Sequence, residues 1–127
     1  MTDLTLSGSQ QMQVLNYGLG GHYNIHYDYF DVAKENMPIN HQDDRMATVL
    51  FYLTEVEQGG ATVFPKLQQA FSPQAGMAVY WLNLHDDGTP NNQTLHAACP
   101  VLVGSKWVMT QWIEERPQLH TRPCRKR

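Results

Sequence analysis

Two residues in the stretch GGHYNIHYDYF carry an arrangement that can do chemistry: His26 and Asp28, an imidazole and a carboxylate with one tyrosine between them. In an extended strand, side chains two apart emerge on the same face. The pair can therefore reach one common point, and an imidazole beside a carboxylate is two-thirds of a metal site. A bare H-x-D is also the pattern of a surface strand that turns its polar residues to water. A third ligand elsewhere in the chain has to decide between the two.

Five other histidines are available. His22 precedes His26 by four, the spacing of a zinc pair on a helix, but the glycines before it and the aromatics after it argue against a helix. His41 in INHQDDR and His85 in HDDG read as loop residues, and His120 sits between two prolines near the tail. His96 differs, because TLHAACPVLV carries it into an apolar strand. It is either a core histidine with its polar atoms satisfied or the third ligand. Two imidazoles and one carboxylate on one side of a metal leave positions open, the arrangement of non-haem Fe(II) oxygenases. A closed structural zinc site more often uses thiolates.

Lys106 begins the strand KWVMTQWIEE, where alternation puts Lys106, Val108, Thr110 and Trp112 on one face. A lysine among such neighbours must either snorkel to water or meet an anion, because burying it alone is costly. The second option places a cation ten residues after the candidate histidine, suited to the far carboxylate of a dicarboxylic cosubstrate.

The elements that must position these groups read as mostly β. MQVLNYG, the His26–Asp28 stretch, RMATVLFYLT, GATVF, QAFSP, GMAVYWLNL, TLHAACPVLV and SKWVMTQWIEE are short and rich in Val, Thr, Tyr, Phe or Trp. Gly20-Gly21, Gly59-Gly60, Gly76 and HDDGTPNNQ mark turns between them. Only DVAKENM has helix composition, and it stops at Pro38. Seven or eight such strands predict a sandwich, barrel or jelly roll. MATVLFYL and KWVMTQWI are apolar on both parities, so they are covered on both faces or one face lines a pocket.

Composition narrows the class. With 127 residues, 42% hydrophobic and 17% charged, the chain is sized for one globular domain. A net charge of −3 gives no case for nucleic acid, and the basic residues Arg116, Arg122, Arg125, Lys126 and Arg127 read as a solvated tail. No apolar run reaches membrane-spanning length, and MTDLTLSGSQQ has neither region of a signal peptide.

The stretches NYGLGGHYNIHYDYF, RMATVLFYLTEVEQGGATVFP, GMAVYWLNL and LHAACPVLVGSKWVMTQW, spanning almost all of residues 12–124, closely resemble the catalytic domain of the collagen-type prolyl 4-hydroxylases. These are Fe(II)- and 2-oxoglutarate-dependent dioxygenases. The resemblance implies a mainly β fold, the double-stranded β-helix or jelly roll, with little helix, over a single domain, 1–127. It implies iron held by His26, Asp28 and His96, with Lys106 on the distal carboxylate of 2-oxoglutarate and Tyr17 and Thr62 supporting it. Tyr23, Arg45 and Trp112 match residues near the peptide groove. The implied activity is hydroxylation of peptidyl proline in collagen-like, proline-rich peptides, coupled to decarboxylation of 2-oxoglutarate to succinate, with L-ascorbate as a further cofactor. Two other readings stay open: an oxygenase acting on another peptide, and a binding homologue without turnover.

Neither Cys99 nor Cys124 forms a C-x-x-C pair, which argues against zinc and thioredoxin-like chemistry. The residues alone are compatible with two unrelated thiols. The resemblance instead implies a Cys99–Cys124 disulfide, an oxidising compartment, namely the endoplasmic reticulum lumen, and protein disulfide isomerase as partner subunit. It also implies that elements preceding NYG in the full catalytic domain are missing here. Two residues after Trp112 many relatives carry histidine, where this chain has Glu114.

Overall fold

A computed structural model describes residues 3–30 and 44–120 of the chain. Ten short strands form among them: β1 (Gln13–Tyr17), β2 (Tyr23–His26), β3 (Arg45–Tyr52), β4 (Gln58–Gly59), β5 (Thr62–Phe64), β6 (Gln69–Phe71), β7 (Ala78–Leu82), β8 (His96–Ala98), β9 (Val101–Val103) and β10 (Lys106–Glu114). The expected helix in DVAKENM lies outside the described residues.

The strands build two antiparallel four-stranded sheets, in the orders β1-β10-β3-β7 and β2-β8-β5-β6, with β4 and β9 paired separately. This is the expected jelly roll. Sequence neighbours seldom pair; instead the first strand lies against the last, with Tyr17 opposite Lys106 and Leu15 opposite Val108. Register across the larger sheet lines up inward rows, Thr110–Leu50–Val79 and Trp112–Thr48–Trp81. Leu50, Tyr52, Val79, Trp81 and Val108 from this sheet close on Phe64 from the smaller one to make the core.

Two boundaries differ from the sequence expectation. TLHAACPVLV is two strands, because Pro100 has no N–H to continue a ladder: β8 ends at Ala98, and β9 starts at Val101 with β4 as its partner. The strand carrying His26 ends at that residue, so Asp28 occupies the bend that follows. The strands that are apolar on both parities line a pocket with one face. Their other face is partly open, as at Trp107, which is 43% exposed.

The turn at Gly59-Gly60 positions Lys106. Both glycines have positive φ, and a Cβ on Gly59 would lie 2.3 Å from the Pro100 carbonyl oxygen. A Cβ on Gly60 would stand 3.4 Å from Cδ of Lys106, so this bare backbone forms the floor under the lysine stem.

Candidate active site

The register of the smaller sheet sets His26 of β2 directly opposite His96 of β8, with ring centroids 4.3 Å apart. The bend after β2 swings Asp28 between them. Its Oδ1 lies 3.4 Å from Nε2 of His26 and 3.6 Å from Nε2 of His96. Ligand atoms of the three residues all fall within 4.8 Å of one another. Asp28 and His96 are buried, while His26 is half-buried.

Hydrogen bonds at the far side of each imidazole define what it offers. Nδ1 of His26 donates to the Asn24 carbonyl at 2.6 Å, and Nδ1 of His96 donates to the Thr94 carbonyl at 2.8 Å. A carbonyl only accepts, so the proton of each neutral ring sits on Nδ1 and Nε2 presents a lone pair. Two lone pairs and a carboxylate oxygen thus converge, the donor set of a divalent cation with carbonyl-oriented imidazoles.

Electrostatics favour the ligating forms. Burial alone would raise the Asp28 carboxyl, but the neighbouring His26 and His96 and the hydrogen bond from the Thr48 hydroxyl outweigh it and hold it below the ordinary carboxylate value. Burial pushes His96 down against the pull of Asp28, so its imidazole stays neutral.

A cleft of about 460 Å³ opens over this cluster. Its walls carry every expected site residue: the triad, Lys106, Tyr17 and Thr62, and Tyr23, Arg45 and Trp112. Lys106 is 1% exposed, and its ammonium makes no hydrogen bond or ion pair with any described residue. Its ammonium lies 5.2 Å and 5.6 Å from the ring centroids of Tyr17 and Tyr52. Burial lowers its pKa to about 8, against a raising effect of nearby Cys99. Lys106 does not snorkel. An unpartnered buried cation on a pocket wall is chemically suited to an anion.

Nearer the mouth, the Arg45 guanidinium stacks 3.9 Å from the Trp112 ring centroid, and its Nη2 donates to Gln10 at 3.2 Å. Tyr23 packs on the ring of His26 and is half-exposed. His22 and His85 stay apart from the triad as exposed residues, whereas His41 lies outside the described residues. Glu114 follows a bulge at the end of β10 and does not line the cleft. Cys99 is half-buried beside β8; Cys124, its expected partner, lies outside the described residues.

Sequence reading missed three residues. Thr48 donates to Oδ2 of Asp28 at 2.7 Å, and Asn83 donates to Thr48 at 2.8 Å. Tyr52 donates to Thr62 at 2.7 Å, fixing that hydroxyl toward the pocket. Thr48 and Tyr52 are ordinary strand residues by composition, and Asn83 stands one residue past the end of β7. Only inward parity marked Thr48 and Tyr52.

Comparison with known proteins agrees with this geometry. The family described as the 2OG-Fe(II) oxygenase superfamily matches residues 12–114. The chain is 48% identical over 124 residues to prolyl 4-hydroxylase subunit alpha-2 of Caenorhabditis elegans, covering 97% of this chain and 23% of that protein. It is 44% identical over 128 residues to prolyl 4-hydroxylase subunit alpha-1 of Homo sapiens, again 23% of that protein. Among solved structures, it is similar to the viral collagen prolyl hydroxylase from Paramecium Bursaria Chlorella virus-1 in its 2OG complex. The TM-score is 0.74 at 33% identity, over 84% of this chain and 58% of that one. The chain thus spans less than a quarter of the curated relatives it matches.

Proposed function

The chain belongs to the 2OG-Fe(II) oxygenase superfamily, and from that premise we propose that it hydroxylates peptidyl proline in procollagen-type substrates while 2-oxoglutarate is decarboxylated to succinate. The observation that carries this reading is the buried cation of Lys106 in the same cleft as the His26–Asp28–His96 cluster. One group suits a carboxylate and the other a divalent metal. A dicarboxylic cosubstrate that spans them uses both.

In this reading His26, Asp28 and His96 hold Fe(II), which when bound supplies the oxygen-activating redox chemistry that side chains lack. Lys106 anchors the far carboxylate of 2-oxoglutarate. Thr62 offers a hydroxyl whose lone pair is already engaged by Tyr52, leaving its proton for the same anion. Tyr17, whose phenol burial keeps protonated, followed by the influence of Tyr23, can donate to it as well. Burial around Lys106 and Thr62 keeps water from competing for these contacts.

Tyr23, Arg45 and Trp112 form the peptide side of the cleft. A tyrosine, an indole and a guanidinium on one rim suit an extended proline-rich segment, which docks on aromatic surfaces in its preformed conformation. The similarity to prolyl 4-hydroxylase subunits supports proline as the target. L-ascorbate as a further cofactor, protein disulfide isomerase as partner, the endoplasmic reticulum lumen as compartment and a Cys99–Cys124 bond belong to the same proposal. The oxygenase unit is taken as residues 1–127.

The test is succinate formation with Fe(II), 2-oxoglutarate and ascorbate, with and without a proline-rich peptide. Peptide-stimulated succinate matched by hydroxyproline is the expected result. Turnover that no proline peptide stimulates would point to another substrate. Absence of both turnover and 2-oxoglutarate binding would reject the enzyme reading.

A further inference from the structure

Asp28 is held by a chain of two polar side chains that are both closed off from solvent. Thr48 of β3 and Asn83, one residue beyond β7, are both 0% exposed. Asn83 donates from Nδ2 to Oγ1 of Thr48 at 2.8 Å, and Thr48 donates to Oδ2 of Asp28 at 2.7 Å. The direction is forced, because the ionised carboxylate can only accept. Thr48 must spend its single proton there and take its own hydrogen bond from the Asn83 amide. Asn83 is itself pinned through its backbone, with N–H to the Met46 carbonyl and its carbonyl to the Asn91 N–H, each at 2.8 Å.

The two oxygens of Asp28 are therefore unequal. Oδ2 is occupied by Thr48, while Oδ1 alone faces Nε2 of both histidines. Position in the chain makes a device of this kind useful. Asp28 lies past the end of β2, in a bend with no strand ladder to fix it, whereas His26 and His96 ride on paired strands. We infer that Thr48 and Asn83 are positioning residues that lock the Asp28 carboxylate so that it offers the metal one oxygen. A carboxylate free to turn could present both oxygens and occupy a position needed by an incoming ligand. The relay also lowers the cost of burying Asp28, since an ionised carboxylate is stable there only when hydrogen-bonded.

This inference rests on the metal reading above, and the experiment separates the two. Co(II), a spectroscopically visible stand-in for Fe(II), is titrated into the wild-type chain, His96→Ala, Thr48→Val, Thr48→Ser and Asn83→Leu, with affinity from calorimetry and coordination from visible absorption. Thr48→Val keeps the shape and removes the hydroxyl. It should lose about 10–100-fold in Co(II) affinity, the usual effect of removing a partner behind a ligand, and its d–d bands should weaken as the coordination number rises. Thr48→Ser should stay close to wild type in both readouts. Asn83→Leu should lose affinity in the same direction, and it carries the test if Thr48→Val does not fold.

Wild-type affinity and spectrum in Thr48→Val, or equal impairment in Thr48→Ser and Thr48→Val, would overturn the relay. Equal Co(II) binding by wild type and His96→Ala would overturn the metal site itself.

Discussion

Lys106 and Tyr17 stand opposite one another where β10 meets β1, and the lysine ammonium lies 5.2 Å from the tyrosine ring centroid. The pairing joins residues 89 positions apart, and it closes the end of the cleft with a cation that has no anionic partner among the described residues. The proposed role of Lys106 as a cosubstrate anchor can be measured directly.

In Lys106→Ala, the far carboxylate of 2-oxoglutarate loses its charged partner in a desolvated site. Affinity should fall by roughly 2–5 kcal/mol, or about thirty- to several-thousand-fold. Lys106→Arg should recover only part of this, because the forked guanidinium is larger than the point charge it replaces. Calorimetric titration of 2-oxoglutarate into the Mn(II)-loaded variants reads the effect. Unchanged affinity in Lys106→Ala would remove the anchor role.

Lys106 also sets a pH dependence. Its pKa is lowered from 10.5 to about 8 by burial. Below pH 8 the cation is present in the free protein and 2-oxoglutarate meets a charged receptor. Above it, binding must first take up a proton, so affinity should decline from pH 7 to pH 9.5. Stability runs the other way. Between pH 8 and 10.5 the unfolded chain binds more protons than the folded one, so the contribution of this group to stability rises with pH across that window and is lost as pH falls through 8. Paired calorimetric and thermal-melting series at these pH values test both signs. A 2-oxoglutarate affinity that is flat or rising with pH would contradict the first.

The ligand cluster makes an all-or-none prediction. His26→Ala, Asp28→Ala and His96→Ala should each abolish peptide-dependent succinate formation, because no spare ligand sits among the described residues near the cluster. Asp28→Glu should fail as well, since a longer stem cannot keep one oxygen on Thr48 and the other between the histidines. His85→Ala, on an exposed residue away from the triad, should turn over like wild type. Appreciable turnover in His96→Ala would show that the third ligand lies elsewhere.

Under oxidising conditions, non-reducing peptide mapping should join Cys99 to Cys124. Cys99→Ser should then lower stability by about 2–4 kcal/mol, as expected for opening a loop of this size. The folded remainder should bind metal as before. Two free thiols in protein isolated from an oxidising compartment would overturn the bridge and the proposed localisation together.

The local patterns were readable from the residues alone. Strand alternation is a fixed property of extended backbone, so the common face of Lys106, Val108, Thr110 and Trp112 could be read directly, and all four line the cleft. The short reach from His26 to Asp28 was equally legible, although a bend rather than the strand brings them together. What alternation cannot specify is which strand lies beside which. His96 could be a core histidine or a ligand until the smaller sheet set β8 against β2 and placed its Nε2 opposite that of His26. Thr48 and Asn83 are 35 residues apart and carry no motif; they meet behind Asp28 only because β3 and β7 pair in one register and the two sheets close over the cleft. Local dihedral preferences act over a few residues and leave their mark on composition and spacing, whereas register and sheet closure are decided by the packing of the whole core.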